Sequence, residues 1–465
     1  MMNFEPSLLA AWTGGRWTTT PVSPLTGFTM DSRQLHTGQV FVALRTARRD
    51  GHDFLSGAEA SGASAAIVVK ENHALSLPQL VVADPLFALQ TIAQKHRESF
   101  PGPVIGISGS VGKTSTKNLL ALLLGGEAEG VLATEGNLNN HLGVPLTLTR
   151  LDPARHKFAV VEAGISGPGE MAALAEMISP DVSITTLVAP AHVAELGSIE
   201  GVANEKAVLA ASLRDDGVAI YPRQCAEFPA FGALDCKRIV IERADIIRPD
   251  EPPEDRVFYT ITHRDNETAI ALAYGMPPPL VFTLRRVSDG MAQNAVLAIC
   301  AALWLGVAYA DIQSRLGNWT ASKMRGELRI ENGKLLYVDC YNASPASMAD
   351  ALDVFYAVAP ADQPRLLVLG GMEELGAAAE MFHRALGRSL RLRPEDQLFA
   401  LGEFASALCE GAHENGAHPG QVHVVEDLKM VQEQLAGFAG AVFLKGSRRY
   451  HLETLLESTK EAPAH

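Results

Sequence analysis

GISGSVGKTSTK, residues 106–117, follows the apolar run Pro103–Ile105 and leads into a helix-forming stretch, and its reading decides the central fold. Small residues at Gly106, Ser108, Gly109, Ser110 and Gly112 let successive backbone N–H groups face one anion, while a helix starting at Lys113 adds its positive end. Lys113 is placed to reach β and γ phosphates, and the Thr114 hydroxyl can ligate magnesium. The spacing departs from the Walker pattern, because Ile107 stands where its first glycine is expected. Strand, turn, GKT and helix nevertheless occur in the required order. This favours a nucleotide site over an ordinary strand-to-helix turn that happens to contain GKT.

Outward from this loop, apolar β runs alternate with helical ones: VIGIS, KTSTKNLLALLL, FAVVEAG, DVSITTLV and SIEGVANEKAVLAASL. That alternation predicts parallel βαβ units. Residues 222–288 are less regular, contain the charged, proline-rich IIRPDEPPEDR, and suggest an antiparallel excursion with a surface loop. QNAVLAICAALWLG closes this region. Upstream, QVFVAL and AAIVV with the helical FLSGAEASG point to a small α/β unit, and Asp84 is placed to cap the helix that follows. Beyond residue 317 the rhythm restarts with LLYVDC, RLLVLGG, QLFALG, QVHVV and AVFLKGS separated by helices, which predicts a second doubly wound domain with active residues at the carboxyl ends of its strands. The expected class is therefore α/β with three domains: a small N-terminal α/β domain (1–83), a central P-loop parallel-sheet ATPase domain (84–316) and a C-terminal Rossmann-like domain (317–465).

Composition narrows the function. A chain of 465 residues, 47% hydrophobic and of mean hydropathy +0.08, should fold throughout, and the formal charge of −14 argues against nucleic acid as a partner. Anionic small substrates must then be met by local basic groups. No basic, apolar leader and no run of 18 apolar residues occurs, so a cytoplasmic protein without membrane insertion is expected. The five cysteines are scattered and lack CxxC spacing, which favours reduced, buried thiols. Nothing in the sequence asks for an obligate assembly, and a monomer is expected.

Several polar residues at strand ends are candidates for chemistry. Glu162 closes FAVVEAG, where a magnesium-binding acid is needed, yet a solvated strand-end carboxylate fits equally well. His192 follows SITTLV and by itself is better taken as structural. Lys206 lies within a helical stretch, where solvent is its default surrounding. Asn342 and Ser344 could cap the helix of PASMADAL. Arg448 could be a surface charge and Cys340 a small filler. Cys409, His413 and His418 are better described as a surface cluster than as a metal site.

Taken together, GSVGKTSTK, TEGNLNNHLGVPLTL (134–148), VVEAGISGPGEM (160–171), APAHVAELGSIEGVANEKA (189–207), VDCYNASPASM (338–348), GGMEELG (370–376) and LKGSR (444–448) resemble the Mur ligase family, and DSRQLHTGQVFVAL with RDGHDF extends the likeness to residues 31–54. GNLNN followed by GVPLTL is most like the members that join D-alanyl-D-alanine to a UDP-N-acetylmuramoyl-tripeptide. The resemblance implies that Gly109, Ser110, Gly112, Lys113, Thr114 and Ser115 hold ATP phosphates and magnesium. It further implies that Glu162 and His192 hold a second magnesium and that Lys206 is carbamylated beside it. Asn294 would lie near the adenine, and Arg325 and Asp339 would come from the third domain to phosphate and ribose. Thr134, Asn137, Asn139 and Asn140 would face the muramoyl peptide, Ser32 and Arg33 the uridine diphosphate, and Tyr341, Asn342, Lys445 and Arg448 the dipeptide.

Three departures from the family pattern stand out. Gly290 and Met291 replace its His-Asn, Gly371 replaces the Asp of GDMxELG, and Ser115 replaces a second threonine. The implied reaction activates a peptide carboxylate as an acyl phosphate and lets an amine displace phosphate, with a mobile third domain excluding water. Another Mur-type or folylpolyglutamate-type ligase is the nearest alternative, against which GNLNNHLGVPLTL and the DSR segment speak. A P-loop ATPase switch is the other, against which Glu162, His192, Lys206 and Asp339 speak together.

Overall fold

The computed structural model describes residues 3–245, 255–264, 266–275 and 277–457. Most of IIRPDEPPEDR therefore lies outside the described residues. Three sheets organise the chain, of five, nine and six strands.

The central sheet is built around Val104–Ser108, every residue of which is buried. Ile105 and Ile107 pack with Leu119, Leu120 and Leu123 of the helix Lys113–Leu123 and with Val296 and Ile299 of the helix Asp289–Trp304. Val104 instead joins Met171, Leu174 and Leu209 on the opposite face. A strand covered on both faces needs a continuous apolar run, and the VIGIS stretch supplies it. Its neighbours are Phe158–Glu162 on one side and Val182–Thr185 on the other, both parallel. The chain first winds one way from this strand and then the other, so the loop after Ser108 opens at the topological switch point where ligands of doubly wound sheets bind.

The antiparallel excursion expected over residues 222–288 is present in the second half of that region and absent from the first. Lys237–Arg243 and Arg256–Arg264 continue the parallel sheet, and Glu267–Leu272 then pairs antiparallel with Arg256–Arg264 on one side and with Leu280–Arg285 on the other. The reason is visible in Ile239, Val240 and Ile241, three successive buried residues that suit a strand covered on both faces.

In the third sheet, Lys334–Asp339, Ala441–Lys445, Arg365–Gly370, Gln397–Leu401 and Val422–Val425 are parallel in that order. An edge hairpin from Glu327–Glu331 was not foreseen. Its turn, Asn332-Gly333, has positive φ at both residues (50° and 76°), the geometry that favours this dipeptide between antiparallel strands. Between the first two sheets lies the helix Pro85–Glu98, capped by Asp84, whose carboxylate accepts from the N–H groups of Leu86 and Phe87. Ala88, Leu89 and Ile92 pack on the first domain and Ala93 on the second, so this helix ties the two together.

One buried ion pair fixes the third domain. Asp396 is fully buried and accepts from Arg365 Nε at 2.9 Å and from the backbone N–H of Arg365 and Arg393. Burial alone would raise its carboxyl pKa, but the arginine and backbone hydrogen bonds outweigh it and hold the group below the ordinary carboxylate range. A depressed folded-state pKa stabilises the fold above the unfolded value, and that stabilisation is lost as pH falls through the folded pKa. Asp396→Asn should cost about 3–5 kcal/mol by leaving Arg365 buried and unpaired. Denaturant unfolding at neutral pH checks this, and the gap between the variant and the parent should narrow in acid.

Candidate active site

Glycine geometry shapes the loop after Val104–Ser108. Gly109 has φ of +139°, and a Cβ there would lie 1.9 Å from the Thr186 hydroxyl. Thr186 has little freedom to withdraw, since its Oγ1 donates to Val111 O at 2.5 Å. Gly112 has φ of +89°, and its Cβ would strike the Asn294 amide at 2.6 Å. Asn294 thus comes from another helix directly against the turn. The Ser110 hydroxyl exchanges hydrogen bonds with the backbone of Ala189, donating to O and accepting from N. Lys113 Nζ donates to Gly109 O at 2.7 Å, folding back over its own loop.

Glu162 sits beside this turn and is buried. Its Oε1 accepts from Thr114 Oγ1 at 3.1 Å and from Asn139 Nδ2 at 2.8 Å, while Oε2 is buried with no partner. The solvated-carboxylate reading of Glu162 is therefore excluded. An orphaned carboxylate oxygen beside a threonine hydroxyl fits a hard cation, which also takes oxygen ligands from phosphate and water. Among the described residues no group of three or more His, Cys, Asp or Glu side chains stands ready to hold a metal alone. His192 Nδ1 lies 2.8 Å from Glu374 Oε2 of the third domain.

Lys206 overturns its solvated reading. It is 3% exposed, and burial, reinforced by the charge of Lys113, holds its amine well below the ordinary lysine pKa. Lys113 is lowered too, by burial first and then raised in part by Glu162.

Two cavities open on the loop. One, of about 620 Å³, is lined by the loop from Ser110 to Ser115, Glu162, Asn294, Arg325, Asp339 and Lys445. The other, of about 950 Å³, is lined by Lys117, Thr134, Arg150, Arg155, Lys323 and Thr26 of the first domain. Thr114, Arg325 and Tyr341 line both, so the cavities meet beside the glycine-rich turn. Arg325 lies over the Tyr341 ring at 4.1 Å, which fixes its guanidinium at this junction.

Other candidates take positioning contacts. Thr134 lines the larger cavity, but its hydroxyl accepts from the Glu162 N–H, and its carbonyl accepts from Lys117 Nζ at 2.6 Å. Asn140 Oδ1 accepts from the N–H groups of Leu142 and Gly143 at the start of a helix. Asn137 is exposed. Lys445 is buried and donates to Asp339 Oδ2 at 2.6 Å and to Asn342 O, so it organises the strand ends rather than a surface. Ser344, not Asn342, caps the helix Pro345–Val358. Arg448 pairs with Glu453 at the rim of the smaller cavity. Ser32 and Arg33 line neither large cavity, and Arg33 is paired with Asp31, whose pKa its hydrogen bonds pull down to about 2.

The three departures have local explanations in part. The Gly290 N–H and the Ser288 hydroxyl both donate to Asp350 of the third domain, at 2.9 and 2.6 Å, and a Cβ on Gly290 would meet that carboxylate at 2.9 Å. At Gly371 the space for a side chain is filled by the Tyr450 hydroxyl, 2.7 Å from a built Cβ. Ser115 simply lines the smaller cavity. Lys117, Asp350 and Glu374 were missed, although Glu374 lies in GGMEELG at the carboxyl end of a strand, where ligands are met.

Three family models fit successive parts of the chain: the Mur ligase family catalytic domain over residues 24–97, the Mur ligase middle domain over 107–242 and the Mur ligase glutamate ligase domain over 324–448. The UDP-N-acetylmuramoyl-tripeptide--D-alanyl-D-alanine ligase of Bacillus subtilis is 30% identical over 455 residues, covering 94% of this chain and 93% of that one. The chain belongs to the Mur ligase family. The ligase of the same description from Escherichia coli is likewise 30% identical, over 94% of each chain. A crystal structure of MurF from Acinetobacter baumannii superposes with a TM-score of 0.85 at 29% identity, covering 99% of both chains. The Mur ligase likeness thus spans all three sheets and both cavities. Among the described residues no helix is long and apolar enough to cross a membrane.

Proposed function

We propose that this Mur ligase joins D-alanyl-D-alanine to a UDP-N-acetylmuramoyl-tripeptide, using ATP and releasing ADP and phosphate. The observation that carries this reading is the meeting of two cavities at Thr114, Arg325 and Tyr341. A triphosphate seated on residues 109–115 ends there, and a peptide carboxylate entering from the larger cavity, where Lys117, Arg150, Arg155, Lys323 and Arg325 outnumber Glu127, Glu135 and Asp152, arrives at the same point. Attack of that carboxylate on the γ-phosphorus gives an acyl phosphate and ADP. The dipeptide amine then adds to the acyl carbon, and the tetrahedral intermediate expels phosphate with loss of a proton.

The chain's own groups act by charge and alignment, which is what phosphoryl transfer demands. Lys113, released from Gly109 O, turns to the β and γ phosphates. Arg325, held over Tyr341, faces the transferred group. Thr114 and Glu162 would hold magnesium, which neutralises phosphate charge when bound, with His192 contributing from the neighbouring strand end. A neutral Lys206 amine can add to carbon dioxide, forming an N–C bond and releasing a proton, and the resulting carbamate would be a further anion at this site. Asn294 borders the turn where the nucleoside would extend, and Asp339 is aligned by Lys445.

Phosphate release from ATP tests the reading. It should require both the UDP-muramoyl-tripeptide and D-alanyl-D-alanine, with neither alone sufficient. Release with nucleotide alone would point to a switch ATPase and reject the ligase reading.

A further inference from the structure

The contact between His192 and Glu374 crosses from the central to the third domain. Both residues have left-handed backbones, with φ of 55° and 64°, uncommon for side chains of their kind. Each lies at the carboxyl end of its own strand, after Val182–Thr185 and after Arg365–Gly370. The loops that carry them touch again two residues on: Gly376 has φ of 57°, and a Cβ there would sit 3.7 Å from the Ala194 methyl. Two strained turns are thus pressed together so that one imidazole meets one carboxylate. The His192 side chain is 25% exposed and that of Glu374 55%, so the imidazole is the more sheltered partner of a contact that solvent still reaches.

A histidine that binds a metal through one ring nitrogen is regularly fixed by a carboxylate on the other. Here Nδ1 carries the carboxylate and Nε2 is left for a ligand. We infer that Glu374 is a positioning residue supplied across the domain interface to orient His192, so that divalent-cation binding beside Glu162 and closure of the third domain reinforce one another. This rests on the reading of His192 as a cation ligand. The coupling is reciprocal: a cation that prefers the oriented imidazole favours the closed arrangement, and closure raises cation affinity by the same factor.

Mn²⁺ binding to the full-length protein with a non-hydrolysable ATP analogue, followed by electron paramagnetic resonance, tests the proposal without turnover. Glu374→Ala should weaken the Mn²⁺ site by about 10–100-fold. Glu374→Gln, which keeps an acceptor oxygen, should restore most of that affinity. Small-angle scattering should show Mn²⁺ with the analogue compacting the parent and not Glu374→Ala. If Glu374→Ala binds Mn²⁺ as the parent does while His192→Ala does not, the cross-domain role is wrong although the cation reading stands. If His192→Ala also binds normally, the cation reading of His192 itself falls. Loss of affinity with compaction unchanged would overturn the coupling to closure.

Discussion

Lys113→Ala should abolish phosphate release from ATP, lowering turnover by about 10³-fold or more, because on the proposed reading it removes the cation that meets the transferred phosphoryl group. Lys113 occupies the first turn of Lys113–Leu123 with its ammonium on Gly109 O, so its stem already lies along the loop. Truncation leaves the glycine conformation and the Ser110–Ala189 hydrogen bonds untouched. The larger cavity does not include Lys113, and calorimetric affinity for the UDP-muramoyl-tripeptide should stay close to that of the parent. Survival of turnover in Lys113→Ala would show that phosphate is not seated on this loop.

Replacement of Lys206 should have the second-largest effect. Lys206→Met keeps length and apolar character and suits a buried position, so the fold should persist. If the amine is converted to a carbamate, activity should nevertheless fall on the order of 10²–10³-fold, the loss typical of removing one electrostatic group from a site of this kind. Carbamate formation needs the neutral amine, and the burial of Lys206 beside Lys113 favours that form. Parent protein equilibrated with ¹³C-bicarbonate should show a carbamate carbon resonance that Lys206→Met lacks. A folded, fully active Lys206→Met would reduce Lys206 to a packing residue.

The fold was legible where residues act through local rules. VIGIS is apolar at every position, Asp84 precedes a helix, and Gly109 and Gly112 interrupt a strand–helix junction, each of which sequence alone interprets. The hairpin at Asn332-Gly333 was legible too, since the alternating run ELRIE precedes the turn and KLLYVD follows it; only the exposure of Leu328 and Ile330 on the edge strand needed the fold. The parallel continuation through Lys237–Arg243 was obscured because charged residues at both of its ends leave only Ile239–Ile241 as an apolar run.

Sequence by itself determined the glycine-rich strand-to-helix turn, the repeated βαβ rhythm and the order of family motifs, because each depends on residues within a few positions of one another. Only tertiary structure decided which polar groups are buried and what they face. Lys206 and Lys445 look like ordinary charged residues until packing removes their water. Thr134 looks like a ligand contact until its hydroxyl is found on the N–H of Glu162, on a separate strand. Asp350 and Glu374 meet Ser288 and His192 only because separate domains close on one another. Desolvation and hydrogen-bond partnership are properties of the folded surroundings, and no spacing along the chain encodes them.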